Sequence, residues 1–369
     1  MTLSERLAAL SMDLMLIPGL SGYETRVRKR LASELSKLKI TGITDRIGNL
    51  IATLPGDQNR PSVMLFAHMD QLGFVVRKIE SNGLIRLERL GGVPERALAS
   101  QEMLICVAEG RDVSAVIANK SHHATAPEEK YKVLPYSEIY LDTGFASAKA
   151  VRAAGVDIGS PVVYAPRAFT LGDSKLCGTS VDDRVACAVM VEVAAALRDV
   201  NTRPTVHLVF SVQEEFNLRG AVVAAQVLKP DIAIQLDLIL ATDTPDMATR
   251  GDVVLGAGPV MSMFSFHGRG TLNGTIPHPA LVKLFDDTAR KANMNLQRSA
   301  HIGALTDSSY VQLVGQGVAS IDIGFPCRYT HSSLEVCAVD DLVQLTKLLT
   351  ETLPGIDAKF SLNRDDHPQ

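Results

Sequence analysis

The stretch VMLFAHMD (Val63–Asp70) opens with five apolar residues and closes on a histidine and an aspartate. A strand that is apolar throughout is buried on both faces, as in a parallel sheet covered by helices on each side. His68 falls just past that strand, and open α/β sheets build their sites at the carboxyl ends of their strands. Asp70 lies two residues further on, on the same side of an extended segment. A ligating histidine needs its second ring nitrogen held by an acceptor, and Asp70 is a candidate for that part.

Working outward, helices and apolar strands alternate. A helix reaches Leu16, PGLSG (Pro18–Gly22) breaks it, and Glu24–Leu38 resumes with Val27, Leu31, Leu35 and Leu38 on one face. Ile40–Thr53 reads as strand with a break at Gly48-Asn49. From Asp183 onward the pattern predicts helices over Val185–Leu197, Leu218–Val227, Ala280–Ala292 and Val339–Leu353. It predicts strands over Val206–Phe210, Ile232–Ala241 and Val318–Ile323. That alternation implies a largely parallel sheet with crossover helices. Between Gly73 and Ala168 the texture differs. FVVRKI, LIRLERL, MLICVA, VSAVIA and PVVYAP are short strands punctuated by Gly83, Gly91-Gly92 and Gly110, with one helical interruption at Ala146–Ala154. The simplest organisation is an α/β domain of residues 1–72 and 169–369, interrupted by an inserted β-domain of residues 73–168.

Composition bounds the function. The 369 residues carry 46% hydrophobic and 21% charged side chains, as a globular protein does. A net charge of -4 argues against a nucleic-acid partner. The opening MTLSERLAALSMDLMLIPG lacks a signal-peptide plan, and no apolar run approaches the ~18 residues of a membrane helix. Cys106, Cys177, Cys187, Cys327 and Cys337 form no C-x-x-C pair, which fits a reducing cytoplasm.

Four further motifs carry candidate ligands. VDDR (Val181–Arg184) offers Asp182 or Asp183 as a bridging carboxylate, with Arg184 to offset charge; the simpler alternative is a helix N-cap. QEE (Gln213–Glu215) follows an apolar strand, where adjacent glutamates repel unless a cation is near. One of them could bind metal and the other act as general base. Asp237 lies inside IAIQLDLILATD, where an ionised carboxylate needs a metal or a salt bridge. Asp243 competes with it as a turn residue before Pro245. His331 follows the loop PCRYT and gains weight only from the other four. Two His and several carboxylates can hold a pair of divalent ions that activate water for hydrolysis. His122-His123 lies in the β-insert and His367 in a polar tail, while His207, His267, His278 and His301 have no acidic motif beside them, although His301 lies shortly before ALTDSS, in a region that could line a substrate pocket. The run GRGTLNG (Gly268–Gly274) matches no phosphate loop, and no G-x-S-x-G elbow is present.

PGLSGYE, AHMDQLGF, TSVDDR, QEEFNLRG, Asp237–Pro245 and RYTHSSLE together closely resemble the co-catalytic metallo-aminopeptidases that include the glutamyl, deblocking and tetrahedral (TET) aminopeptidases. The resemblance spans about Leu7–Leu353. It implies a three-layer α/β/α catalytic domain with a mixed, largely parallel sheet and an inserted β-barrel-like domain serving assembly and access. It implies two divalent ions, zinc foremost, with cobalt or manganese as substitutes. His68 and Asp237 match ligands of one ion, Glu215 and His331 match ligands of the other, and Asp182 matches the bridging carboxylate. Glu214 matches the general base that deprotonates a metal-bridging water, and Asp70 the carboxylate that orients His68. The implied substrate is a short peptide with a free N-terminus, and the implied assembly a homo-oligomer, in this family a tetrahedral dodecamer. Val185-Ala186, Asn217 and Asp246 depart from the family pattern without touching a ligand. The rival readings are a related di-zinc carboxypeptidase, dipeptidase or deacylase, a metal-independent glycosidase using Glu214 and a second carboxylate, and a non-catalytic protein that has kept the fold.

Overall fold

A computed structural model describes residues 1–200, 203–268, 274–304 and 306–367. The strand expected from VMLFA runs Val63–His68 with every residue buried. It pairs in parallel with Val206–Ser211 on one side and Ile232–Leu240 on the other. Its side chains alternate between two cores. Val63, Leu65 and Ala67 join the core formed with the helices Leu3–Met15, Val181–Leu197 and Val339–Thr352. Met64 and Phe66 join Ala221, Ala224 and Ala225 of the helix Gly220–Leu228 on the opposite face. The two-residue period of a strand thus produces helix layers on both sides. Each fully buried Leu or Phe contributes roughly 1.5–3 kcal/mol.

Strand order across the sheet is Gly42–Thr44, Leu50–Leu54, Val206–Ser211, Val63–His68, Ile232–Leu240, Ala319–Cys327, Val260–Phe266 and Gly274–Thr275, with Gln297–Ile302 also paired to Val260–Phe266. The four central strands are mutually parallel. Leu50–Leu54 and Val260–Phe266 flank them antiparallel, so the sheet is mixed and largely parallel at its centre. His68 stands level with Ser211 at the carboxyl ends of two neighbouring central strands. The first helix starts at Thr2, whose side chain and Glu5 form a reciprocal capping box. In Thr25–Lys37, Val27, Leu31 and Leu35 are the buried residues, at helical spacing.

Six strands form a closed barrel in the order Gly73–Ile79, Ile85–Leu90, Tyr140–Asp142, Val113–Ile117, Glu102–Ile105 and Pro161–Tyr164. Its interior holds Phe74, Val76, Ile85, Leu87, Met103, Ile105, Leu141 and Val162. Closure satisfies every strand edge. Tyr140–Asp142 carries no sequence signal of its own; it is three residues long and completes the ring between longer partners. Ala168, the expected end of the insert, lies outside the barrel. Ala168–Leu171 instead pairs with Lys175–Gly178, which pairs with Glu335–Ala338. Residues 269–273 of the glycine-rich run and Leu305 of ALTDSS lie outside the described residues. Among the described residues no helix is long and apolar enough to cross a membrane.

Candidate active site

The central strands deliver their side chains to one cavity of about 370 Å³, lined by His68, Asp182, Glu214, Glu215, Asp237 and His331 among others. His68 ends its strand 2% exposed. Its Nδ1–H donates to the carbonyl oxygen of Asp70 at 3.2 Å, which turns Nε2 towards Asp182 Oδ1 at 2.9 Å. His331 is arranged likewise. Its Nδ1–H donates to the carbonyl oxygen of Gly92 at 3.0 Å, and Nε2 lies 3.4 Å from Asp182 Oδ2 and 3.6 Å from Glu215 Oε1. Asp182 therefore stands between the two imidazoles, one oxygen towards each.

Neither aspartate of VDDR caps the helix. Asp182 (φ −73, ψ 107) and Asp183 (φ −120, ψ 33) are non-helical, with a cis peptide between them, and regular helix begins after them. The Asp182 side chain serves the histidines instead. Arg184, near enough to feel the Asp70 and Glu24 carboxylates, makes its hydrogen bonds elsewhere. Fully buried, it donates to the carbonyl oxygens of Leu14 and Ile17 at 3.0 and 2.9 Å and to Gln71 Oε1 at 3.2 Å. It ties the PGLSG loop to the sheet, and its contacts are carbonyls, not carboxylates. Asp243, the competitor of Asp237, is held by Arg328 at 2.6 Å and accepts from the Leu255 amide at 2.9 Å.

Two buried carboxylates act as backbone clamps. Asp70 accepts the amides of both Glu214 and Glu215 at 3.0 Å, and Ser21 Oγ donates to it as well. Its carboxylate oxygen is 3.5 Å from His68 Nδ1, further than its own carbonyl. Asp70 thus orients the glutamate pair more directly than the imidazole. Glu335 accepts the amide of Asp182 at 3.0 Å and that of His331 at 2.7 Å. Glu335 closes the RYTHSSLE motif, yet its part is invisible in sequence because its partners are backbone groups. Asp237 accepts from Gln235 Nε2 at 3.0 Å and from the Leu238 amide at 2.7 Å.

The electrostatics follow from this crowding. Burial pushes the Glu214 and Asp237 carboxyls well above the usual range, and neighbouring carboxylates add to the shift. Burial raises Glu215 to about 7, partly offset by His331. Burial alone would raise Asp182 too, but hydrogen bonds from His331 and His68 carry it below the ordinary value. Burial would likewise lower both imidazoles, and their carboxylate neighbours hold them well above the ordinary value instead. Buried carboxylates this close are costly without cations, and protons and metal ions compete for the same atoms.

Two donor groups meet the needs of a cation. His68, Asp182 and Asp237 each offer an atom, all within 4.8 Å of one another, and so do Asp182, Glu215 and His331. Asp182 belongs to both groups, and Glu214 to neither. His301 also lines the cavity, as does His267, which showed no acidic motif in sequence. His122 and His123 sit in an exposed turn next to barrel strands, and His278 caps the helix Pro279–Lys291.

Comparison with known proteins places the chain in a family. The M42 glutamyl aminopeptidase family matches residues 48–348. Lysyl aminopeptidase of Pyrococcus furiosus is 30% identical over 347 residues, covering 92% of this chain and 95% of that one. The TET aminopeptidase of a marine sediment Thaumarchaeota archaeon is similar in structure with a TM-score of 0.90 and 26% identity, covering 99% of this chain and 100% of that one. The TET1 peptidase of Pyrococcus horikoshii, described as able to assemble into a tetrahedron or a large octahedral shell, has a TM-score of 0.82 and 26% identity, covering 95% of this chain and 99% of that one. With the family matched over most of the chain and the fold shared end to end, this protein belongs to the M42 glutamyl aminopeptidase family and is an aminopeptidase, a hydrolase of peptide N-termini.

Proposed function

We propose that the chain removes N-terminal residues from short peptides with two divalent ions, zinc foremost, with cobalt or manganese able to substitute. The observation that carries this is the pair of three-residue donor groups sharing Asp182, beside a buried glutamate that belongs to neither. His68 and Asp237 would hold one ion and Glu215 and His331 the other, with Asp182 contributing a carboxylate oxygen to each. When bound, such ions lower the pKa of water and polarise a carbonyl. Glu214 takes the proton of the attacking water and passes it to the leaving amine, a role for which its burial, raising its proton affinity, suits it. Asp70 fixes the Glu214 backbone through the amide bonds above, and its carbonyl sets the His68 tautomer. Leu238, Ile239 and Ile323 give the cavity an apolar wall beside these polar groups.

We further propose that residues 1–72 and 169–369 form the catalytic domain and 73–168 the inserted domain, and that the latter serves assembly and access in a homo-oligomeric shell. The shell-forming TET1 relative supports this reading. The protein acts in the cytoplasm in this account, in keeping with five free cysteines, four of them buried.

The test is a substrate panel on the purified protein. Aminoacyl-nitroanilides and short peptides with free N-termini should turn over, their N-acylated counterparts should resist by at least about 10²-fold, as expected when a site is built to hydrogen-bond a group that is then lost. Folded proteins should be left intact, and light scattering should report a large oligomer. Preferential cleavage of blocked substrates would favour the deacylase reading, and a stable monomer trimming folded proteins would defeat the shell.

A further inference from the structure

The barrel segment holds none of the candidate ligands, yet its backbone enters the site. Gly91-Gly92 follows the barrel strand Ile85–Leu90 and stands over the group formed by Asp182, Glu215 and His331. The Gly92 carbonyl receives the Nδ1–H of His331 at 3.0 Å. A carbonyl can only accept, so Nδ1 keeps a proton there and Nε2, facing Asp182 and Glu215, is the nitrogen left to ligate. The fit is close. A Cβ on Gly92 would lie 2.9 Å from His331 Nδ1 and 3.0 Å from Cε1. A Cβ on Gly91, at φ +87, would meet the Leu72 side chain at 2.8 Å. Glycine is required at both positions, in the first for conformation and contact and in the second for contact alone.

The two histidines therefore differ in what holds them. His68 is oriented by a carbonyl two residues along its own chain, at the end of its own strand. His331 is oriented by a carbonyl 239 residues away, on the turn that joins two barrel strands to the site. The barrel is itself docked on the sheet domain by Arg26, whose guanidinium grips Asp112 at 2.5 and 2.9 Å, and by Tyr23 OH donating to the Gly159 carbonyl at 3.0 Å.

We propose that Gly92 is a positioning residue for the second metal, so that the placement of the barrel sets the affinity of the group containing His331 and leaves that of the group containing His68 alone. This rests on the reading of His331 as a ligand. Partners that orient a ligating histidine typically govern metal affinity by about 10–100-fold. The coupling runs through one imidazole, so it must vanish when that imidazole is removed.

The experiment titrates Zn2+ or Co2+ into chelator-stripped full-length protein, comparing wild type with Gly92→Ala, His331→Ala and the double variant. Circular dichroism checks that each is folded, and the visible spectrum of the cobalt form reports the second ion's surroundings. Wild type should take up two equivalents. Gly92→Ala should bind the first as wild type does and the second at least about tenfold more weakly, with an altered cobalt spectrum. The double variant should match His331→Ala, because the effects share one path. Pro94→Gly, which loosens the same turn without a clash, should weaken the second equivalent by a smaller factor and covers the case in which Gly92→Ala does not fold. Wild-type affinity for the second ion in both turn variants, or an equal loss from Gly92→Ala with and without His331, would overturn the proposal. Two undiminished equivalents in His331→Ala would instead overturn the assignment of His331 as a ligand.

Discussion

Replacing Glu214 by glutamine is expected to lower kcat by about 10²–10⁴-fold, the range for loss of a positioned general base, with metal content unchanged. The substitution keeps shape and removes the ability to take a proton. Glu214 belongs to neither donor group, so metal binding should not register the change. Its amide bond to Asp70 is a backbone contact and should survive the substitution. The neighbouring Glu215→Gln should behave oppositely. Glu215 faces His331 Nε2 at 3.6 Å within a donor group, and the variant should lose metal occupancy first and activity as a consequence. Kinetics alongside elemental analysis separates the two. An equal fall of metal content in both variants would show the glutamate roles to be reversed or shared.

Asp182→Ala should have a larger effect still, removing both ions and taking activity below detection. Asp182 is the one residue present in both donor groups among the described residues. Its two oxygens lie 2.9 Å from His68 Nε2 and 3.4 Å from His331 Nε2. Loss of an outer ligand such as His331 or Asp237 should weaken one ion. Loss of Asp182 leaves each group with two donors, too few to compete with water for a divalent ion, which ordinarily keeps at least three protein ligands in a catalytic zinc site. Retention of two tightly held equivalents by Asp182→Ala would refute the shared-ligand arrangement.

How far the sequence discloses this depends on where side chains do the work. VMLFA is readable because a strand between two helix layers must be apolar at every position, and Val63–His68 is buried throughout. The barrel shows itself as short strands between glycines, but Tyr140–Asp142 is too short to show a period and is recruited by its neighbours. Val260–Phe266 and Gln297–Ile302 also escape notice, since both mix polar and apolar residues on partly buried faces. The seven candidate site residues stand out as ionisable groups, most of them at or near the ends of apolar runs. What stays hidden is what holds them. Gly92 acts through a carbonyl that every residue owns, and sequence shows only a turn glycine. Glu335 acts on two amides, and nothing in LEVCAV marks its carboxylate as buried among them. The hydrogen bonds of Arg184 are hidden for the same reason, because its partners are carbonyls contributed by a distant loop.

Whether hydrolysis depends on a two-ion centre built from these residues is decided by counting metal against turnover in a single titration. The protein is stripped with a chelator, its metal content measured by elemental analysis, and zinc returned in steps while cleavage of a free-amino aminoacyl-nitroanilide is followed. A two-ion centre predicts no turnover in the stripped protein and a return of activity that is complete at two equivalents. Undiminished turnover by metal-free protein would contradict it.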